Sequence, residues 1–143
     1  MTQVYVNYFA ILVAAVANMF LGFVWYGPLF GKQWIALMGW SKEQIESGKE
    51  KMKTQMWKTY SIAFLGSLVM GYVLARSLVF FSIYLGIYGI SAGVQVGFYS
   101  WLGFIAPVTL GTVLWEGKPW KLWFLVNGYY LVSLLIMGTI LSI

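Results

Sequence analysis

Polar residues in this chain fall in blocks, and the blocks leave four long apolar runs between them. The first run extends from Val4 to about Tyr26, and the second from about Lys58 to Phe81, interrupted only by Arg76. The third runs from about Ile90 to Trp115 and the fourth from about Leu122 to Ile143. A bilayer core needs about 20 apolar residues per helix, so each run predicts one transmembrane span. The spans are then about residues 4–26, 58–81, 90–115 and 122–143 of one domain. The connection 28–57 between the first two is polar. In it, Ser41-Lys42-Glu43-Gln44 has the form of a capping box, with Ser41 as N-cap and Gln44 reaching back. Ile45, Met52 and Met56 follow at helical spacing, which predicts an amphipathic helix on the membrane surface, with protein docking as the alternative. The apolar Ser77–Gly89 stretch leaves room for a short interfacial helix and a turn at Gly86 or Gly89. The fold class is an all-α integral membrane protein: a four-transmembrane-helix bundle with an amphipathic cytoplasmic segment between helices 1 and 2.

Charge gives the bundle a direction. Lys32, Lys42, Lys49, Lys51, Lys53, Lys118 and Lys121 fall on the first and third connections and Lys58 adjoins the first, while the opposite side has only Arg76. The positive-inside rule puts the lysines in the cytoplasm and both termini outside it, in a multi-pass membrane protein. Aromatic residues agree. Trp25, Trp34, Trp40, Trp57, Trp115, Trp120 and Trp123 fall at the lysine-bearing boundary, and Tyr5, Tyr8, Tyr84 and Tyr88 at the other. Such rings anchor at headgroup level.

Composition changes the picture mainly by exclusion. Of 143 residues, 61% are hydrophobic and 9% charged, against roughly 25% charge in a soluble domain. With no cysteine, no histidine and four carboxylates, no metal, haem or other cofactor is expected. The net charge of +5 fits lysines facing an anionic leaflet, so the expected partners are membrane lipids and not nucleic acid. The segment Met1–Tyr8 lacks a basic residue and the run behind it is long for a signal peptide, so Ala15-Val16-Ala17 reads as helix.

Helices associate in lipid through close backbone approach. Gly89, Gly93 and Gly97 repeat at four-residue spacing, and Ala10, Ala14, Ser67, Gly71 and Gly138 offer small residues elsewhere. The glycine face either packs inside one bundle or also meets a second subunit, and a homo-oligomer is expected of so small a bundle.

Intramembrane polar groups are the default candidates for function. At 1.5 Å per residue, Asn18 lies about 10 Å, Asn127 about 6 Å and Pro107 about 12 Å inside the cytoplasmic boundary. Proline displaces the carbonyl four residues back, here that of Gly103, which then needs a donor. The two asparagines either glue helices together or line a polar cavity open to the cytoplasm beside the Gly103–Pro107 kink. Glu116 is the one carboxylate at a span end, so proton chemistry would start there, although an ion pair with Lys118 is the plainer expectation. Trp25, Tyr26, Pro28, Trp34 and Trp120 form the cytoplasmic rim, with Gly27-Pro28 ending the first helix. No catalytic constellation and no phosphate-binding loop can be assembled.

The stretches WYGPLFGKQW (Trp25–Trp34), WLGFIAP (Trp101–Pro107), WEGKPW (Trp115–Trp120) and Asn127-Gly128 resemble a family of small bacterial membrane proteins, domain of unknown function 1761. The resemblance spans nearly the whole chain and implies four transmembrane helices, with no established activity, substrate or cofactor. Its pattern points to Asn18, Trp25–Pro28, Trp34, Trp101, Glu116 and Asn127. Two functions are expected from the residues: a small oligomeric transporter- or channel-like module using the Asn18/Pro107/Asn127 level, or a membrane enzyme acting on a lipid-like or quinone-like substrate at the cytoplasmic interface. A structural or accessory role is the third.

Overall fold

The computed structural model describes residues 6–143, within which all regular structure is helical. Tyr5 and the start of the first expected span lie outside the described residues. Four segments are long and apolar enough to cross a membrane: Tyr8–Leu29, Lys42–Leu85, Gly89–Leu114 and Trp120–Ser142. They comprise α1 (Tyr8–Val24), α3 (Lys42–Leu85), α4 (Gly89–Ser100), α5 (Ala106–Thr109), α6 (Gly111–Leu114) and α7 (Trp120–Ser142), with α2 (Gly31–Met38) following the first. The first and third segments each contain a π-helical turn, at Trp25–Leu29 and at Trp101–Ile105. Large apolar side chains such as Phe9, Phe20, Leu65, Phe80 and Phe104 point outward, as a hydrocarbon surround requires.

α7 is the central element and packs against α1, α3 and α4. The core between them is small: Ala14, Leu74, Leu78, Ala92, Val96, Leu134 and Met137. Its compactness comes from glycine. A Cβ on Gly93 would lie 2.1 Å from the Gly138 carbonyl oxygen, and one on Gly97 would lie 2.5 Å from that of Leu134. The Gly93/Gly97 face is therefore filled by α7 of the same chain. Gly89 does not share in this packing: nothing lies within 4 Å of its Cβ position, and its φ of +74° serves the turn before α4.

The polar connection and the second span form one helix. The capping box at its start is made, with Gln44 N–H donating to Ser41 Oγ at 3.2 Å and Ser41 N–H to Gln44 Oε1 at 2.8 Å. At 1.5 Å per residue, the 44 residues of α3 would span about 66 Å, twice the thickness of a bilayer core. Gln55 breaks it, at φ −121° and ψ 16°, into an amphipathic arm (42–54) and an apolar arm (56–85). The apolar arm continues to Leu85, where Gly86 stops it with φ +68°. The Ser77–Leu85 stretch is thus absorbed into α3, and only Ile87 and Tyr88 remain between Gly86 and Gly89. No separate interfacial helix forms there.

The α4–α7 crossing makes a contrast that mutation can read. Gly93→Ala should lower stability in detergent by about 1–3 kcal/mol, since backbone cannot yield as a side chain does. Gly66→Ala, with open space around its Cβ position inside α3, should be neutral or stabilising by about 0.5–1 kcal/mol. Thermal midpoints of the two variants, compared with the unaltered protein, check both signs.

Candidate functional site

The two buried asparagines lie in separate clusters. Asn18, on α1, donates from Nδ2 to Ser67 Oγ on α3 at 2.8 Å. Its Oδ1 accepts from the Tyr129 hydroxyl of α7 at 2.9 Å and from the Ser133 hydroxyl one turn further on. One amide thus ties three helices. Asn127 belongs to α7, and its Nδ2 donates to the Trp123 carbonyl at 2.9 Å. Its Oδ1 lies 2.7 Å from the Thr109 hydroxyl, whose single hydrogen sits between that acceptor and the Ile105 carbonyl at 2.8 Å. Both side chains are buried with protein partners, at 7% and 1% exposure. Pro107 is exposed on the outer surface and joins neither cluster. The three therefore do not line one cavity.

The two π-turns explain why. Pro28 has no N–H and pushes aside the carbonyl of Val24, so the turn widens and Phe30 N–H reaches the Trp25 carbonyl at 2.9 Å. Gly27-Pro28 consequently does not end the helix. The chain passes through the wide turn and resumes as α2, which stops at Gly39 in the left-handed region. Gly31 is needed at the restart, because a Cβ there would lie 2.8 Å from the Tyr26 carbonyl oxygen. In the second wide turn, Ala106 N–H reaches the Trp101 carbonyl. Each turn opens with a tryptophan that donates its indole N–H to a carbonyl of α7: Trp25 to Leu125 at 3.1 Å and Trp101 to Asn127 at 3.0 Å.

Beyond these anchors the rings of the first turn form a chain. Tyr129 meets Tyr26 at 5.2 Å between centroids, Tyr26 meets Trp34 at 5.1 Å, and Trp34 meets Trp40 at 5.1 Å. Trp25 joins it through Tyr129 at 6.2 Å. Trp120 lies apart, paired with Trp123 at 6.1 Å, and Pro28 is exposed. Glu116 is also exposed. Its expected partner Lys118 turns elsewhere: Lys118 Nζ donates to the Met38 carbonyl at 2.9 Å, capping the C-terminal end of α2.

These contacts hold α2 away from the amphipathic arm of α3 and leave a groove of about 810 Å³ between them. Trp34, Ile35 and Trp40 form one wall and Ile45, Gly48 and Met52 the other, with Lys49, Lys51 and Lys53 also on its lining. Sequence reasoning named Trp34 as rim and Ile45 and Met52 as an apolar face, expected to lie on the membrane surface with protein docking as the alternative. A smaller apolar hollow of about 330 Å³ lies between α3 and the second π-turn, bounded by Val69, Val73, Phe104 and Ile105.

The asparagine clusters generate two expected outcomes. Asn18→Ala removes the Oδ1 acceptor of two α7 hydroxyls and the donor to Ser67, and should cost about 1–2 kcal/mol, read as a lower unfolding midpoint in detergent. Cysteines placed at 18 and 127 should resist a water-soluble maleimide that rapidly labels a cysteine at 49. Fast labelling at 18 would reveal a water path that the hydrogen-bonded cluster closes.

Comparison with known proteins gives a family and no further relative. Nothing matches among curated proteins or among solved structures. The family described as "Protein of unknown function (DUF1761)" matches residues 9–142, nearly the whole chain, and this protein belongs to it.

Proposed function

We propose that this chain is a membrane-embedded binding module for a lipid-like amphiphile, seated at its cytoplasmic boundary. The observation that carries this reading is the groove between α2 and the amphipathic arm. Its volume of about 810 Å³ falls within the roughly 300–1,000 Å³ of small-molecule sites. Its lining is mainly apolar surface, and yet Ile35, Trp40 and Met52 remain 38–39% exposed. Apolar side chains facing each other across a space invite an apolar occupant, while the lysines on the same lining favour a molecule with a polar end.

The expected transporter-like module needs a polar route through the bundle. Asn18 and Asn127 have their amides bound by protein partners, and Pro107 faces outward, so that level supports packing better than passage. The lipid-like substrate class expected for a membrane enzyme agrees with the groove. Catalysis finds less support, because Glu116 is not among the groove's lining residues.

The test is lipid retention. Protein extracted in mild detergent and examined by native mass spectrometry should carry bound lipid. Ile45→Ser combined with Met52→Ser should reduce the retained fraction at least tenfold, since each side chain contributes about 1.5–3 kcal/mol when covered. Leu65→Ala, on an outward face far along α3, should leave retention unchanged. Equal retention in all three would refute the proposal.

A further inference from the structure

We infer that the groove takes an anionic phospholipid, its phosphate among Lys49, Lys51 and Lys53 and its acyl chains against Trp34, Trp40, Ile45 and Met52. The inference rests on the amphiphile-binding reading and adds to it the sign of the headgroup charge.

Segregation of charge around the amphipathic arm carries the argument. The arm holds three of the chain's four carboxylates, Glu43, Glu46 and Glu50, and none of them lines the groove. Three of its lysines do. With 3.6 residues per turn, Gln44, Gly48, Ile45 and Met52 fall within about 60° of one another's mean direction, and Lys51 flanks them at about 60° from Gly48. Measured from Gly48, Lys49 lies about 100° round on the other flank, Lys53 about 140° round beyond it, and the three glutamates about 140–160° away. Both flanks of the apolar strip are therefore cationic, through Lys51 and Lys49, while Lys53 and the acids project from the opposite side of the arm, and of these only Lys53 lines the groove. An arm lying freely on a bilayer would turn its apolar strip to the lipid. Here the strip faces Trp34, Ile35 and Trp40 of the same chain, so the lipid that completes it must enter between the two walls.

The position of the opposite wall is fixed. Lys118 holds the end of α2 at the Met38 carbonyl, and Trp34 packs edge-on against Tyr26, which packs edge-on against Tyr129. The groove is thus bounded by one anchored wall and by an arm attached through Gln55 and the Gly39–Trp40 turn. Each lysine beside an anionic headgroup contributes about fivefold in affinity, so three predict a preference of roughly tenfold or more after screening.

The test offers purified protein an equimolar mixture of phosphatidylglycerol and phosphatidylcholine in mixed micelles, and reads retained lipid by native mass spectrometry. The unaltered chain should keep about one phosphatidylglycerol, at roughly tenfold preference. K49Q/K51Q/K53Q should lose the preference, and K49R/K51R/K53R should keep it, which separates loss of charge from loss of fold. E43Q/E46Q/E50Q decides between the groove and diffuse attraction. It raises the net charge from +5 to +8, so diffuse attraction predicts more phosphatidylglycerol, whereas the groove predicts no change. A rise in that variant overturns the inference. Equal retention of both lipids by the unaltered chain also overturns it and leaves the amphiphile reading standing, while retention of neither removes both. Displacement of the lipid by millimolar inorganic phosphate would make this a free-anion site and equally overturn the assignment.

Discussion

Where α4 crosses α7, two backbones meet at Gly93 and Gly138 with no side chain between them. In lipid there is no hydrophobic drive to bring helices together, so contact of this kind must come from surfaces that fit. The rest of the bundle follows from it. With α7 drawn against α4 on one side, its other side is free to meet α1 and α3, where Asn18 closes a hydrogen-bonded knot. Both π-turn tryptophans then find carbonyls on α7 two residues apart, and the Trp25 ring packs beside Gly128, 3.4 Å from where a Cβ would stand.

The two buried asparagines are both held by protein partners, Asn18 across three helices. Their cost in hydrocarbon is offset because each amide finds partners on neighbouring helices. They nevertheless reach the candidate site indirectly. Asn18 fixes the Tyr129 hydroxyl, Tyr129 packs on Tyr26, and Tyr26 packs on Trp34, a wall of the groove. A buried asparagine thus helps to set the shape of a site at the membrane boundary without touching its occupant.

The four apolar runs, the capping box at Ser41 and the small-residue contacts were legible because each depends on local pattern. The two wide turns were not, since Gly27-Pro28 carries the same signal whether a helix stops or only loosens. The contact that accompanies the wide turn, from the Trp25 indole to its acceptor 100 residues away, is not a local signal. Depth along the helices placed Asn18 and Asn127 at one level, but depth says nothing of azimuth, and the two face different neighbours. One signal did lie in the sequence. Both wide turns begin Trp-x-Gly, at Trp25 and Trp101, and each is followed by Gly-Lys-x-Trp, at Gly31–Trp34 and Gly117–Trp120. The two halves of the chain thus repeat one device, and comparing them would have suggested that Gly27 and Gly103 share a role.

The bond from Lys118 to Met38 joins residues 80 apart. During synthesis α2 emerges long before its partner, and α7, which carries Tyr129, emerges later still. The groove therefore matures last, when the fourth span docks and fixes the orientation of a segment made near the beginning. A chain interrupted after its second span could already carry both walls, yet nothing would hold them at the right distance.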